Sequence, residues 1–250
     1  KGDHVGLMSD NRREWLVTDY ALLTLGAVDV PRGCDSMGVE MRFILNFAEC
    51  EVSFFENDRQ LLKILENPEE VPLLKKAIMY DHAEPETIEL ANKAGIEVIN
   101  YSYLEAEGIS ITKEDWLNIE DGMESIDSND VATIIFTSGT TGTPKGVQLT
   151  HDNYIAQCEA APVVLGLMQP GDIWLTVLPI WHSFERAFLY MVVMLKGGFA
   201  YSKPVASILL QDLATVKPQW ICGVPRLWEA LANGVNKAMV KKGGIALILF

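Results

Sequence analysis

Residues 137–146 read Thr-Ser-Gly-Thr-Thr-Gly-Thr-Pro-Lys-Gly and place three glycines, five hydroxyl side chains, one proline and one lysine in ten positions. Glycine lets a backbone bend and approach a ligand closely. Hydroxyls and free backbone N–H groups bind phosphate oxygens, and an ammonium neutralises their charge. The segment follows the β-rich run Val131-Ala-Thr-Ile-Ile-Phe136. A loop of this makeup, leaving a buried strand, suits a polyphosphate.

Spacing excludes two familiar phosphate loops. The Walker A pattern needs Gly-Lys followed directly by Ser or Thr, whereas Lys145 lies between Pro144 and Gly146. The dinucleotide fingerprint needs Gly-x-Gly-x-x-Gly opening a helix, and the spacing of Gly139, Gly142 and Gly146 does not match it. The residues Val147-Gln-Leu149 read as a short strand, and the nearest helix start is Thr150, an N-cap before His151. An anion bound here rests on loop amides and hydroxyls more than on a helix dipole.

The ten residues resemble the signature loop of the adenylate-forming superfamily, which includes acyl-CoA synthetases, adenylation domains of peptide synthetases, and luciferases. Every position of its Thr-Ser-Gly-Thr-Thr-Gly-x-Pro-Lys-Gly core is present. The resemblance implies ATP, Mg2+ and coenzyme A as cofactor and co-substrates. It implies that the hydroxyls of Ser138, Thr140, Thr141 and Thr143, with amides around Gly139 and Gly142, hold the β- and γ-phosphates. Lys145 would then offset charge on the pyrophosphate leaving group, and Thr137 would lie close to the magnesium ion.

Two further stretches carry the resemblance. Leu178-Pro-Ile-Trp-His-Ser-Phe-Glu-Arg186 is similar to a Leu-Pro-x-x-His segment that lines the acid-substrate site, and its Glu185-Arg186 pair is similar to long-chain acyl-CoA synthetases. Gly223-Val-Pro-Arg-Leu-Trp228 resembles a Val-Pro-Arg-Leu-Phe segment of the same subgroup. His182 is therefore expected at a strand end, facing the acid and the α-phosphate; a hydrogen-bonded core histidine is the bland reading. Arg186 and Arg226 are expected in structural ion pairs. The implied activity is ATP-dependent conversion of a long-chain fatty acid to an acyl-adenylate and then to its coenzyme A thioester. The rival readings are adenylation of another carboxylic acid and a non-catalytic nucleotide- or acyl-binding module.

These residues need a scaffold, and the rest of the chain reads as one. Strand patterns at 3–8, 51–55, 76–80, 97–100, 131–136, 173–178, 198–202 and 220–223 alternate with helix patterns at 13–25, 39–48, 59–65, 85–94, 153–161, 183–194, 205–214 and 225–233. Gly2-Asp-His-Val-Gly-Leu-Met8, Asn11-Arg-Arg-Glu-Trp15 and Gly26-Ala-Val-Asp-Val-Pro31 are similar to the family's opening strand, helix and second strand. Alternation at this pace predicts an α/β fold of βαβ units with mostly parallel sheet. Residues 105–130 are acidic and read as a surface connection. The resemblance implies two similar α/β subdomains: residues 31–163 carrying the phosphate loop, and residues 1–30 with 164–250 forming an incomplete second one.

The 250 residues suffice for one large or two small domains, and at 49% hydrophobic they can bury a core. A net charge of −14 argues against nucleic-acid binding and against simple electrostatic docking on anionic lipid. An anionic nucleotide must then meet a local positive site. Cys34, Cys50, Cys158 and Cys222 form no Cys-x-x-Cys pair, so buried free thiols in a reducing cytoplasm are expected. No signal peptide is visible, and the longest apolar run, residues 187–195, is too short to span a bilayer. Peripheral contact with a membrane is compatible with a lipid substrate. The chain begins at Lys1 and closes on Ile-Ala-Leu-Ile-Leu-Phe250, which reads as a cut through a longer chain. The family's Gly-x-Thr-Glu and Thr-Gly-Asp segments and its C-terminal domain are not within it, so these residues alone are expected not to turn over.

Overall fold

The computed structural model describes residues 1–137 and 144–242. The chain divides into two compact units, Lys1–Glu159 and Ala160–Phe250.

In the first unit, β1 (His4–Met8), β2 (Val28–Arg32), β3 (Val52–Phe55), β4 (Lys76–Met79), β5 (Glu97–Asn100), β6 (Val131–Thr137) and β7 (Lys145–Thr150) form one sheet in the order β5-β4-β3-β1-β2-β6-β7. All neighbours are parallel except β6 and β7. The chain moves from β1 to one side, then crosses to β3 on the other, so strand order reverses at the middle of the sheet. Apolar runs such as Val5, Leu7 and Met8 in β1, and Phe54 and Phe55 in β3, are buried, as strands covered on both faces require. Helix Gly38–Phe47 turns Met41, Ile44 and Leu45 inward, and helix Asp58–Leu65 contributes Leu61 and Ile64 to the same core.

Four helices end in the same way, with a left-handed residue whose N–H and successor's N–H reach back to the last turn. Gly26 N–H donates to Leu23 O and Ala27 N–H to Leu22 O; Glu49 and Cys50 repeat this on Asn46 and Leu45, Gly95 and Ile96 on Asn92 and Ala91, and Lys196 and Gly197 on Val193 and Val192. The left-handed residue is glycine twice and a charged residue twice, with φ of +53° at Glu49 and +60° at Lys196.

In the second unit, β8 (Ile173–Thr176), β9 (Gly198–Tyr201) and β10 (Trp220–Ile221) pair in parallel in the order β10-β8-β9. Helices Ser183–Met194, Ala206–Val216 and Pro225–Lys242 alternate with them. Leu175, Val177 and Leu209 form its buried centre.

The α/β class and mostly parallel sheet agree with the sequence pattern. Three expectations do not. Residues 1–30 do not stand apart from 31–159, because β1 and β2 are the middle strands of the first sheet, hydrogen-bonded to β3 and β6. The acidic stretch is not a plain connection: it contains helices Tyr101–Ile109 and Lys113–Glu124. The second is fixed at its start by a reciprocal capping box, in which the Thr112 hydroxyl accepts from Asp115 N–H at 3.1 Å and the Asp115 carboxylate accepts from Thr112 N–H at 2.9 Å. The cysteines are free, but only Cys50 is fully buried. Among the described residues no helix is long and apolar enough to cross a membrane.

Candidate functional site

The loop's base is a hairpin at the edge of the first sheet. Phe136 pairs with Gly146 and Thr137 with Lys145 across β6 and β7. Phe136 is buried and meets Phe43 and Phe47 of helix Gly38–Phe47 edge-on, at ring distances of 6.4 and 5.8 Å. That packing explains Gly146 opposite it: a Cβ there would come within 2.8 Å of Ile134 Cγ2 and 3.3 Å of Phe136 Cζ. Phe136 turns into the core, so alternation turns its neighbour Thr137 to the other face, where it is exposed, as Lys145 is. Directly opposed residues of an antiparallel pair have Cβ atoms about 5 Å apart. A hydroxyl and an ammonium thus stand together at the end of the β6–β7 pairing.

Ser138, Gly139, Thr140, Thr141, Gly142 and Thr143 lie outside the described residues. Thr150, expected as an N-cap, accepts from Asn153 N–H at 3.4 Å, and Asn153 Oδ1 accepts from Thr150 N–H at 3.0 Å. This starts helix His151–Glu159 only after β7 has ended. The donor set of Thr137 and Lys145 suits phosphate oxygens. It offers one neutral oxygen to a metal, whereas Mg2+ is ordinarily held by carboxylates together with substrate phosphates. A magnesium ion at this place would have to arrive on the phosphates.

Arg32 is a residue the sequence reading passed over. It ends β2, donates from Nη1 to Phe136 O at 3.3 Å, and is held by Ser36 at 2.8 Å and Glu40 at 2.5 Å. It braces the strand end from which Thr137 emerges. The only signal was a basic residue directly after the strand pattern that ends at Pro31.

A second passed-over cluster is Asp10, Cys34 and Glu56, each just beyond the carboxyl end of β1, β2 or β3. Their polar atoms are turned on one another and on the backbone. Glu56 Oε2 accepts from Asp10 N–H at 2.8 Å and Ser9 Oγ at 3.1 Å, and Asp10 Oδ1 accepts from Cys34 N–H at 2.9 Å. Burial first, then the charges of Glu56 and Asp10, push the Cys34 thiol well above its ordinary value, so it is a poor nucleophile. These groups tie three strand ends together.

In the second unit, His182 is not at a strand end. β8 stops at Thr176, Leu178-Pro179 leads away, and His182 caps helix Ser183–Met194, its Nδ1 accepting from Phe184 N–H at 3.3 Å. Its side chain is exposed and borders a cavity of about 450 Å3 lined by Leu178, Pro179, His182, Phe184, Glu185 and Val224. The cavity lies beyond the carboxyl ends of the parallel strands β8 and β10, where open α/β sheets bind ligands. Its volume is in the range of small-molecule pockets. Arg186 is fully buried and donates from Nε to Tyr190 Oη at 2.7 Å, with its guanidinium 5.7 Å from that ring's centre. Glu185 is also fully buried; its Oε1 accepts from Trp174 Nε1 at 3.2 Å, and burial pushes its carboxyl up to about 7.

Comparison with known proteins places the chain in a family. The family model described as AMP-binding enzyme matches residues 1–247. Long chain acyl-CoA synthetase 7, peroxisomal, of Arabidopsis thaliana is 32% identical over 253 residues, an alignment covering all of this chain and 34% of that protein. Long-chain-fatty-acid–CoA ligase FadD15 of Mycobacterium tuberculosis is 31% identical over 250 residues, covering 99% of this chain and 39% of that one. The fold is also that of a long-chain-fatty-acid-CoA ligase (FadD1) from Archaeoglobus fulgidus, with a TM-score of 0.66 at 22% identity over 96% of this chain and 43% of that chain. The chain thus spans about a third of the length of the curated relatives it matches.

Proposed function

The chain belongs to the AMP-binding enzyme family, and from that premise we propose that it serves the ATP-dependent activation of a long-chain fatty acid and its transfer to coenzyme A. A carboxylate is a poor electrophile because its leaving group is oxide. In the proposed reaction a carboxylate oxygen attacks the α-phosphorus of ATP, forming an acyl-adenylate and releasing pyrophosphate. The thiol of coenzyme A then attacks the acyl carbon and AMP leaves with the electron pair of the acyl–oxygen bond. In the first step an anion attacks an anion, so the site must position both and stabilise charge on phosphate oxygens.

The observation that carries the reading is the cross-strand pair Thr137–Lys145 at the exit of the glycine- and threonine-rich segment. In this reading the Lys145 ammonium offsets charge on the departing pyrophosphate, and the Thr137 hydroxyl binds a phosphate oxygen. Magnesium, when bound with the nucleotide, supplies further charge neutralisation. The second unit's cavity, apolar but for His182 and Glu185, would receive the acid, with the His182 imidazole at its border. The fatty-acid class is favoured by the two relatives named, both of which act on long-chain substrates by name.

Acid-dependent exchange of pyrophosphate into ATP by the complete protein tests this. Lys145→Ala should lower the exchange rate on the order of 100-fold, the scale of losing one charge-stabilising group. Its side chain is exposed, so the fold should be unchanged. Exchange at the wild-type rate in Lys145→Ala would refute the loop assignment.

A further inference from the structure

Glu185 is the one cavity-lining group that is both ionisable and fully buried. Its Oε1 has the Trp174 indole as donor, the Val177 amide also favours its charged form, and its Oε2 has no hydrogen-bond partner. The indole is held by one helix at a ring face and at its N–H. Trp174 stacks on Phe188 at 5.1 Å, and Phe188 meets Phe184, a cavity-lining residue one turn earlier, edge-on at 5.3 Å. Glu185, Phe184 and Phe188 all belong to helix Ser183–Met194, whose cap is His182. A single indole from β8 therefore registers the helix that carries two of the cavity's lining residues and is capped by a third.

We propose that Glu185 is the positioning residue of this cavity: by holding Trp174 it fixes the first turn of helix Ser183–Met194, and with it His182 and Phe184, in the arrangement that admits the apolar chain of an acid substrate. The proposal rests on the adenylation reading for the identity of that ligand. It goes beyond that reading in giving Glu185 a protonation-dependent role. The Cys222 thiol lies close enough to feel the carboxyl's charge; on the same helix, His182 is the cap and the next residue, Arg186, is engaged with Tyr190. Burial first, then the charge of Glu185, pushes that thiol up to about 11. No ion pair among the described residues includes Glu185, so its negative form has only the indole and one amide to replace water. A buried charge so poorly compensated draws water in or reverts to the neutral acid. The protonated form keeps the apolar wall dry; the ionised form wets it and weakens binding of a hydrocarbon chain.

The experiment is the pH dependence of pyrophosphate exchange in the complete protein, with a long-chain acid varied. With the carboxyl titrating near 7 and only its neutral form binding well, KM for the acid should rise about tenfold between pH 6 and pH 8 while kcat stays level. Glu185→Gln, which keeps the acceptor oxygen and cannot ionise, should hold KM flat across that range; Glu185→Ala should raise it at both ends. A Glu185→Gln profile that follows the wild type would overturn the proposal. A second measurement needs no catalysis: in 5-fluorotryptophan-labelled protein, the resonance assigned by Trp174→Phe should shift with a midpoint near neutrality, and the shift should vanish in Glu185→Gln. Absence of that shift in the wild type also overturns it. If no version exchanges pyrophosphate, the adenylation reading fails, and the fluorine titration alone then supports or overturns the role of Glu185 in shaping the cavity.

Discussion

Glu185→Gln should make the second unit's stability nearly independent of pH where the wild type loses it. In the unfolded chain the Glu185 carboxyl releases its proton near the ordinary value of 4.5; in the fold, burial delays release to about 7. Between those values the unfolded state binds fewer protons than the native state, so stability falls as pH rises. It is greatest below 4.5 and the loss is complete once pH has passed the folded value. At 1.36 kcal/mol for each pH unit of that window, the ceiling is about 3 kcal/mol. Glutamine carries no such proton and retains an acceptor for Trp174 Nε1. Two compact units make a single unfolding midpoint a poor measure, so the assay is native-state hydrogen exchange of amides in helix Ser183–Met194. After correction for intrinsic exchange, wild-type protection should drop roughly 100-fold between pH 5 and pH 8, as about 3 kcal/mol requires. Protection in Glu185→Gln should change only a few-fold. Parallel curves for the two proteins, flat or falling, would show that the carboxyl is not the group responsible and would refute the burial argument.

Two further substitutions probe the scaffold. Gly6 of β1 pairs with Ser53 of β3, and a Cβ at Gly6 would press on Ser53 Oγ and come within 2.5 Å of Leu45 Cδ2; Gly6→Ala should cost about 1–3 kcal/mol in urea unfolding, and Ser53→Gly should recover part of it if the clash is the cause. Gly95 has φ +78° and open space around a Cβ, so Gly95→Ala should cost about 1 kcal/mol through backbone strain alone, whereas Glu49→Gly, at φ +53°, should raise the melting temperature.

Those helix ends also show where the sequence could be read and where it could not. Gly26 and Gly95 announce a left-handed stop, and the helices before them end there. Glu49 and Lys196 occupy the same conformation with the same pair of hydrogen bonds; the helix patterns end beside them, but a charged residue does not itself mark a left-handed position. Helix Lys113–Glu124 was hidden in a similar way: its acidic residues read as a solvated connection, although Thr112 and Asp115 had the spacing of a cap. Strand positions were legible because each is a local β-rich run. Strand order was not, because the pairing of β1 with β3 and of β2 with β6 is decided by packing between residues far apart in the chain. The same division holds at the sites. Residue types at 137–146 carry the proposed phosphate-loop reading, but the facing of Thr137 and Lys145 depends on ladder register. The buried pairing of Glu185 with Trp174 joins residues whose relation appears only once the helix has folded back on β8.

The antiparallel hairpin is itself a consequence of chain length. Seven residues separate Thr137 from Lys145, whereas a crossover to a parallel neighbour takes a dozen or more. β7 must therefore return antiparallel to β6. A phosphate loop of the strand-to-helix kind aims a helix N-terminus at its anion. Among the described residues the next helix begins at His151, after a whole strand. The positive end of a peptide dipole acts within about a turn, so it contributes nothing at Thr137. Charge neutralisation at this loop falls to side chains, and the only basic one within residues 137–146 is Lys145. In a protein of net charge −14, the proposed nucleotide site would then depend on one ammonium more steeply than a helix-capped loop does.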